Sequence, residues 1–268
     1  MDDLKTMLDE FKAILTQELG SEIIVNIDDE KMNEFKKIIN EFCLIADRYG
    51  SSISELTKFA ESNTRKTEFC IQSKYLHRGF YCPSPVLELL IENCKRGKLT
   101  AKPYKTTRDY YKYNFDNNNS MVSAEHYITG LSCTPLEIEF IIRDGDVEYG
   151  ITFSNHKEAA DYIEITYISM AKYENSAIKS YSADLFSKYI PKENMSLHHE
   201  EYFYSGKLLT EAHIYFNILP LMNIYDKNEC FFRYDGDKKI YEYDVIREHQ
   251  GKPIKSTYTV PKSKYIHL

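Results

Sequence analysis

Apolar residues follow a helical period through roughly the first hundred positions of this chain and a strand period after them. Leu4, Met7, Leu8, Phe11, Ile14 and Leu15 trace the stripe of an amphipathic helix that Gly20 ends. The run from Ile23 to Ile27 predicts a short strand. Asp28 or Asp29 then caps a second helix, with Phe35, Ile38, Ile39, Phe42 and Ile45 on one face and Gly50 at its end. Ser52 or Ser54 opens a third helix carrying Leu56 and Phe59. Ser84-Pro85 opens a fourth through Val86, Leu87, Leu89, Leu90 and Ile91, closed by Gly97. Proline suits the first helical position because its missing N–H would have no partner there.

From about Lys98 the apolar positions alternate. Ile138, Phe140 and Ile142 share a face, as do Val147, Tyr149, Ile151 and Phe153, then Ile163, Ile165 and Tyr167, and later Tyr241, Tyr243 and Val245. Five polar turns separate such runs: Asn117-Asn118-Asn119, Asp144-Gly145-Asp146, Glu174-Asn175-Ser176, Ser205-Gly206-Lys207 and Asp235-Gly236-Asp237. Their centres at 118, 145, 175, 206 and 236 are 27, 30, 31 and 30 residues apart, which marks a repeated hairpin. The turn residues are those that tolerate positive φ. Half-buried alternation argues for antiparallel pairing, since parallel strands run apolar throughout. The expected fold class is α+β: N-terminal helices followed by a mostly antiparallel β-meander of repeated hairpins. Residues 1–97 form an acidic helical region and 98–268 a Tyr-rich antiparallel sheet region, with a longer loop over 191–197.

Composition sharpens this picture. The chain of 268 residues holds 23 Tyr, 14 Phe and no Trp, and 19 of the tyrosines fall between Tyr104 and Tyr258, where a pleated, half-wet surface suits them. The net charge of −7 is segregated. Residues 1–62 hold 14 Asp/Glu against 7 Lys/Arg, and the remainder is balanced. An acidic surface favours basic partners and disfavours nucleic acid and anionic membrane. The cysteines Cys43, Cys70, Cys82, Cys94, Cys133 and Cys230 show no CxxC pair, and several sit in apolar runs, as reduced thiols do. No run is apolar enough to span a membrane and no leader pattern follows Met1, so a cytoplasmic location is expected.

Candidate chemistry is sparse. His198-His199-Glu200-Glu201 is the densest group of possible ligands, but on a strand it divides two and two between the faces, too few for a metal centre. No GxSxG elbow, phosphate loop or dinucleotide fingerprint occurs. Asp144/Asp146 and Asp235/Asp237 flank turn glycines and are explained by turn chemistry. Residues 42–61 place Ile45, Ala46, Tyr49, Gly50, Leu56 and Phe59 as a helical hairpin or helix-turn-helix would, but Glu55 and Glu61 outnumber Lys58 on the second helix. A basic stretch from Lys95 to Lys112, interleaved with Tyr104, Tyr110 and Tyr111, has the make-up of a solvated linker or a single-strand-binding groove.

The segments Tyr202-Phe203-Tyr204-Ser205-Gly206-Lys207-Leu208 and Phe232-Arg233-Tyr234-Asp235-Gly236-Asp237 resemble the Tyr-Asp repeats of bacterial polymorphic-toxin shells. The chain is also similar in type to the small cytosolic immunity proteins of bacterial contact-dependent toxins: acidic, tyrosine-rich, helices and then a meander. That resemblance implies a non-enzymatic, antitoxin-like protein-binding module that covers a partner toxin, and it carries over no functional residues. The partner-binding candidates come from the residues themselves: Asp28, Asp29 and Glu30 on the acidic helices, and Tyr202, Tyr204, Tyr241 and Tyr243 on the sheet. No catalytic residue, metal or cofactor is expected. The alternatives are a DNA-binding regulator using 42–61 and an enzyme of unrecognised type centred on His198, His199, Glu200 and Glu201.

Overall fold

The structure is a computed structural model, and it describes residues 28–102, 109–128, 134–155, 163–187, 195–219, 224–249 and 252–260. The helix expected over Leu4–Leu15 and the strand at 23–27 lie outside these residues. The helix expected to start at Asp28 or Asp29 is α1, Asp29–Tyr49, and α2 follows at Ile53–Asn63. Asp28 caps α1, its Oδ1 accepting the Lys31 N–H at 2.8 Å. The buried stripe of α1 runs through Phe35, Ile38, Phe42, Ile45 and Ala46. In α2 the expected apolar face is displaced: Ala60 is buried and Phe59 is 57 % exposed. The helix expected from Ser84-Pro85 to Ile91 shrinks to α3, Leu87–Leu90, whose first N–H groups bond to Ser84 Oγ.

The described residues hold thirteen strands, and the first of them precedes the point where alternation becomes obvious. They are β1 (Lys66–Ile71), β2 (Lys98–Thr100), β3 (Asp109–Phe115), β4 (Met121–Ile128), β5 (Glu137–Asp144), β6 (Val147–Asn155), β7 (Ile163–Glu174), β8 (Ala177–Leu185), β9 (His198–Ser205), β10 (Leu208–Leu219), β11 (Ile224–Tyr234), β12 (Ile240–His249) and β13 (Lys252–Thr259). The chain is therefore mostly β with helices near its start, and the pairing is an antiparallel meander. All five predicted turns join antiparallel neighbours: β3–β4, β5–β6, β7–β8, β9–β10 and β11–β12.

The turns are of two kinds. Three are two-residue loops, closed by the opposed pairs Asp144/Val147, Glu174/Ala177 and Ser205/Leu208, with positive φ at Gly145, at both Asn175 and Ser176, and at Gly206. The first and last turns are longer and share one design. Asp116 Oδ1 accepts the N–H groups of Asn118 and Ser120 at 2.8 Å each, and Asp235 Oδ1 accepts those of Asp237 and Lys239 at 2.9 Å each. In this design the left-handed residue is the fourth, Asn119 or Lys238, and Gly236 has no positive φ. The Asp side chain, and not the glycine, organises the fifth turn.

Two compact units divide the chain. One comprises Ile38–Ile190, the other Met1–Lys37 with Pro191–Leu268. In the first, strand order is β8-β7-β6-β5-β4-β3-β1-β2, so β1 returns from the helices to pair with β3. One face of this sheet carries Ser123, Phe140 and Ile151 in register and meets α2; Tyr149 on it donates to Glu41 of α1. The other carries Tyr113, Ala124, Glu139, Gly150 and Ser169, covered by the segment 72–97 that runs through a short 3-10 turn at Gly79–Tyr81. Arg96 fastens that segment by donating to the carbonyls of Phe80, Cys82 and Ser84.

In the second unit the order is β13-β12-β11-β10-β9. One face is apolar, with Tyr202, Ala212, Cys230 and Val245 in one register row and Phe232 beside Tyr243 in the next. The opposite face is a ladder of charges: Glu211 with His213, Lys227 with Glu229, and Arg233 between Glu242 and Asp244. The period-2 pattern and the two-faced sheet are one fact seen twice.

Candidate functional site

Strand β9 begins with the ligand-rich tetrad, and its pleat puts His198 and Glu200 on the apolar face and His199 and Glu201 on the charged one. Glu200 is fully buried. Its Oε1 lies 2.5 Å from His198 Nε2, its Oε2 accepts the Tyr202 hydroxyl at 2.6 Å, and the His198 ring packs on Phe216 at 4.5 Å. Burial, helped by the Glu200 charge, pushes the nearby Cys230 thiol up to about 12. A thiol held protonated is a poor nucleophile. All five cysteines among the described residues are buried, and Cys133 lies outside them.

On the charged face, α1 completes a group that β9 only begins. His199 is 2 % exposed, and its Nε2 lies 3.9 Å from Glu34 Oε1 and 3.9 Å from Glu201 Oε1. Lys31 Nζ donates to Glu201 Oε1 and to Glu34 Oε2, both at 2.7 Å. Phe35 meets His199 and Tyr215 edge-on, at 5.5 and 5.4 Å between ring centres. Burial alone would raise the Glu201 pKa, but His199 and Lys31 outweigh it and hold the carboxyl at about 2. Burial likewise works against the Lys31 charge, and its bonds to Glu201 and Glu34 win, so its pKa is raised. Lys31 and Glu34 were not singled out from sequence. Their only signal was position: 31, 34 and 35 share one side of a helix.

The acidic candidates stand at the start of α1, where Asp28, Asp29 and Glu30 are all exposed. The tyrosine candidates are placed differently. Tyr202 and Tyr243 are buried in the apolar face, Tyr243 stacked on Tyr258 at 5.2 Å, while Tyr204 and Tyr241 are half-buried. Residues 42–61 form the end of α1, a turn at Gly50 and most of α2, whose exposed residues include Glu55, Lys58 and Glu61. In the basic stretch, Arg96 is committed to carbonyls and Lys112 to Glu125 at 2.8 Å; residues 103–108 lie outside the described ones.

Two further features belong to the unit of residues 38–190. A cleft of about 380 Å³ beside α2 is lined by Thr57, Thr64, Lys112, Asn114, Ser123 and Glu125, over a floor that includes Ile138 and Phe140. Its polar atoms largely serve one another: Glu125 accepts from Lys112, Asn114 and Tyr127. On the opposite face, Arg78 is buried with φ +58° and chelates Glu139 through Nε at 3.0 Å and Nη2 at 2.7 Å, while Nη1 reaches Glu148 at 2.6 Å. His77 Nε2 stands 3.3 Å from Glu139, and its Nδ1 lies 3.1 Å from the Tyr181 hydroxyl. Among the described residues no helix is long and apolar enough to cross a membrane. No protein-family model matches this sequence, and no curated protein matches it either.

Proposed function

We propose that this chain is a non-enzymatic protein-binding module of the immunity-protein kind, which neutralises a basic partner protein by covering it. The observation that carries the reading is the first turn of α1. Asp28, Asp29 and Glu30 are exposed there, and among the described residues Asp29 and Glu30 make no ion pair, so their field acts outward. Carboxylates at a helix N-terminus are also stabilised by the helix dipole, which fixes the turn that presents them. The charged face of β10–β12 lies in the same unit, its Glu211, Glu229 and Glu242 paired with His213, Lys227 and Arg233. The buried titratable groups are engaged internally: Glu200 with His198 and Tyr202, and Arg78 with two glutamates.

Co-purification with the product of the adjacent gene tests the reading, and a chain that captures no neighbour counts against it. The electrostatic part is tested separately with D29K/E30K, which spares the Asp28 cap. Its association rate with the captured partner should fall roughly tenfold at low salt and converge on wild type at high salt. An unchanged on-rate removes the acidic turn from the interface.

A further inference from the structure

The donor atoms of Glu34, His199 and Glu201 lie within 4.8 Å of one another, and they come from two rigid elements, α1 and β9. We propose that these three residues form a binding site for a divalent transition-metal ion, and that Lys31 is its built-in competitor. His199 Nε2 is 3.9 Å from an oxygen of each glutamate. Two ligands held about 2.0–2.2 Å from one ion at a tetrahedral angle are about 3.3–3.6 Å apart, so a small rotation of each carboxylate brings the three donors to one ion. The imidazole is 2 % exposed and braced by Phe35, so its nitrogen is fixed in direction. One imidazole nitrogen and two carboxylates suit zinc, cobalt or manganese, and the imidazole weighs against magnesium and calcium.

Lys31 Nζ occupies the anionic side of the group, 2.7 Å from each carboxylate. A single ammonium offsets only one of the two negative charges. It sits on a flexible four-carbon stem whose side chain is 21 % exposed, so it has a route out to water. A divalent ion entering between the three donors would displace it and gain both carboxylates. The group would then tie the start of α1 to β9, within a single unit. This site is independent of the proposed partner: it faces inward from the turn that carries Asp29 and Glu30, and its test needs no second protein.

The experiment is a titration of chelator-treated full-length protein with cobalt(II), read by visible absorption, and with zinc(II), read by calorimetry. Wild type should bind one ion per chain. E201Q and H199A should each lose affinity by more than the roughly 10–100-fold expected for losing an outer-shell partner. K31M should bind more tightly than wild type, which a purely structural ion pair does not predict. Thermal melts of the same samples should rise with metal for wild type and K31M and stay fixed for E201Q. Should H199A fail to fold, E201Q decides, since it keeps the size of the side chain. Binding that is equal in wild type and E201Q overturns the proposal, as does no binding in wild type. Binding by K31M alone also overturns it for the native chain, leaving Lys31 as the permanent cation.

Discussion

Arg78→Met is the most informative perturbation of the scaffold. The guanidinium is 4 % exposed and makes three hydrogen bonds to two carboxylates, Glu139 and Glu148, that are themselves 4 % and 7 % exposed. Methionine fills much of the volume but leaves Glu139, among the described residues, with His77 at 3.3 Å and Ser169 at 3.5 Å; Glu148 keeps Arg143 at 2.5 Å. An uncompensated buried charge, not the lost hydrogen bonds as such, sets the size of the effect: about 3–5 kcal/mol. At about 2–4 °C per kcal/mol for a unit of this size, the melting temperature falls by roughly 6–20 °C. The pH dependence identifies the cause. In wild type, burial would raise the Glu139 pKa, but Arg78 and His77 hold it well below the carboxylate range. Its contribution to stability is therefore present above the ordinary carboxylate pKa and is lost as pH falls through the depressed one. In R78M burial is largely unopposed, so the folded pKa exceeds the unfolded one and protonation favours the fold. Urea denaturation should give a gap between the two proteins that narrows from about pH 7 to about pH 4, and R78M/E139Q should recover part of the loss at about pH 7. A cost below about 1 kcal/mol, or a gap that ignores pH, refutes the reasoning.

Gly150→Ala should damage the same network from the strand side, because a Cβ there would overlap Glu139 Oε1 and lie 2.7 Å from Arg78 Nη2; a denaturation midpoint equal to wild type would contradict this packing. Asp116→Ala and Asp235→Ala each leave two loop N–H groups without the carboxylate, and each should cost about 1 kcal/mol or slightly more in urea titrations, with similar values for the two loops. For His126, burial lowers the pKa, but Asp109 at 2.8 Å and Glu137 at 3.6 Å prevail and raise it from 6.5 to about 9. Its contribution is thus complete below 6.5 and fades as pH rises through about 9. NMR titration should show the ring still protonated at about pH 8, and the stability difference between wild type and H126N should shrink over that window.

Sequence reasoning read the fold best where local rules decide it. The five turns carry their own chemistry, and the strands beside them their own period, so no distant contact was needed to place them. Asp28 and Gly50 bounded α1 for the same reason. What escaped was set by partners remote in sequence. β1 lies among helices, and its place is decided by pairing with β3, residue Phe69 opposite Lys112. The Ser84-Pro85 helix is reduced to Leu87–Leu90, in a segment whose carbonyls at Phe80, Cys82 and Ser84 accept from Arg96, a partner twelve to sixteen residues away. The tyrosines could be assigned to a face by parity, but parity does not say which face is buried; Tyr202 and Tyr243 took the inner one. The tetrad of β9 stood out as possible ligands but was set aside as too few for a metal centre, because Glu34 arrives from a helix, across a gap in sequence comparable to the 170 residues between Lys31 and Glu201.

The order of pairing also constrains how such a chain can change length. From β3 to β8, and again from β9 to β13, every strand lies beside its predecessor and runs against it. Inserting or deleting one strand would reverse the direction of everything downstream and swap the ends at which the loops emerge. Gaining or losing a whole hairpin leaves every remaining direction and face unchanged. The thirty-residue interval is thus the smallest step by which this architecture can grow or shrink without being rebuilt, as in other proteins assembled from nearest-neighbour units.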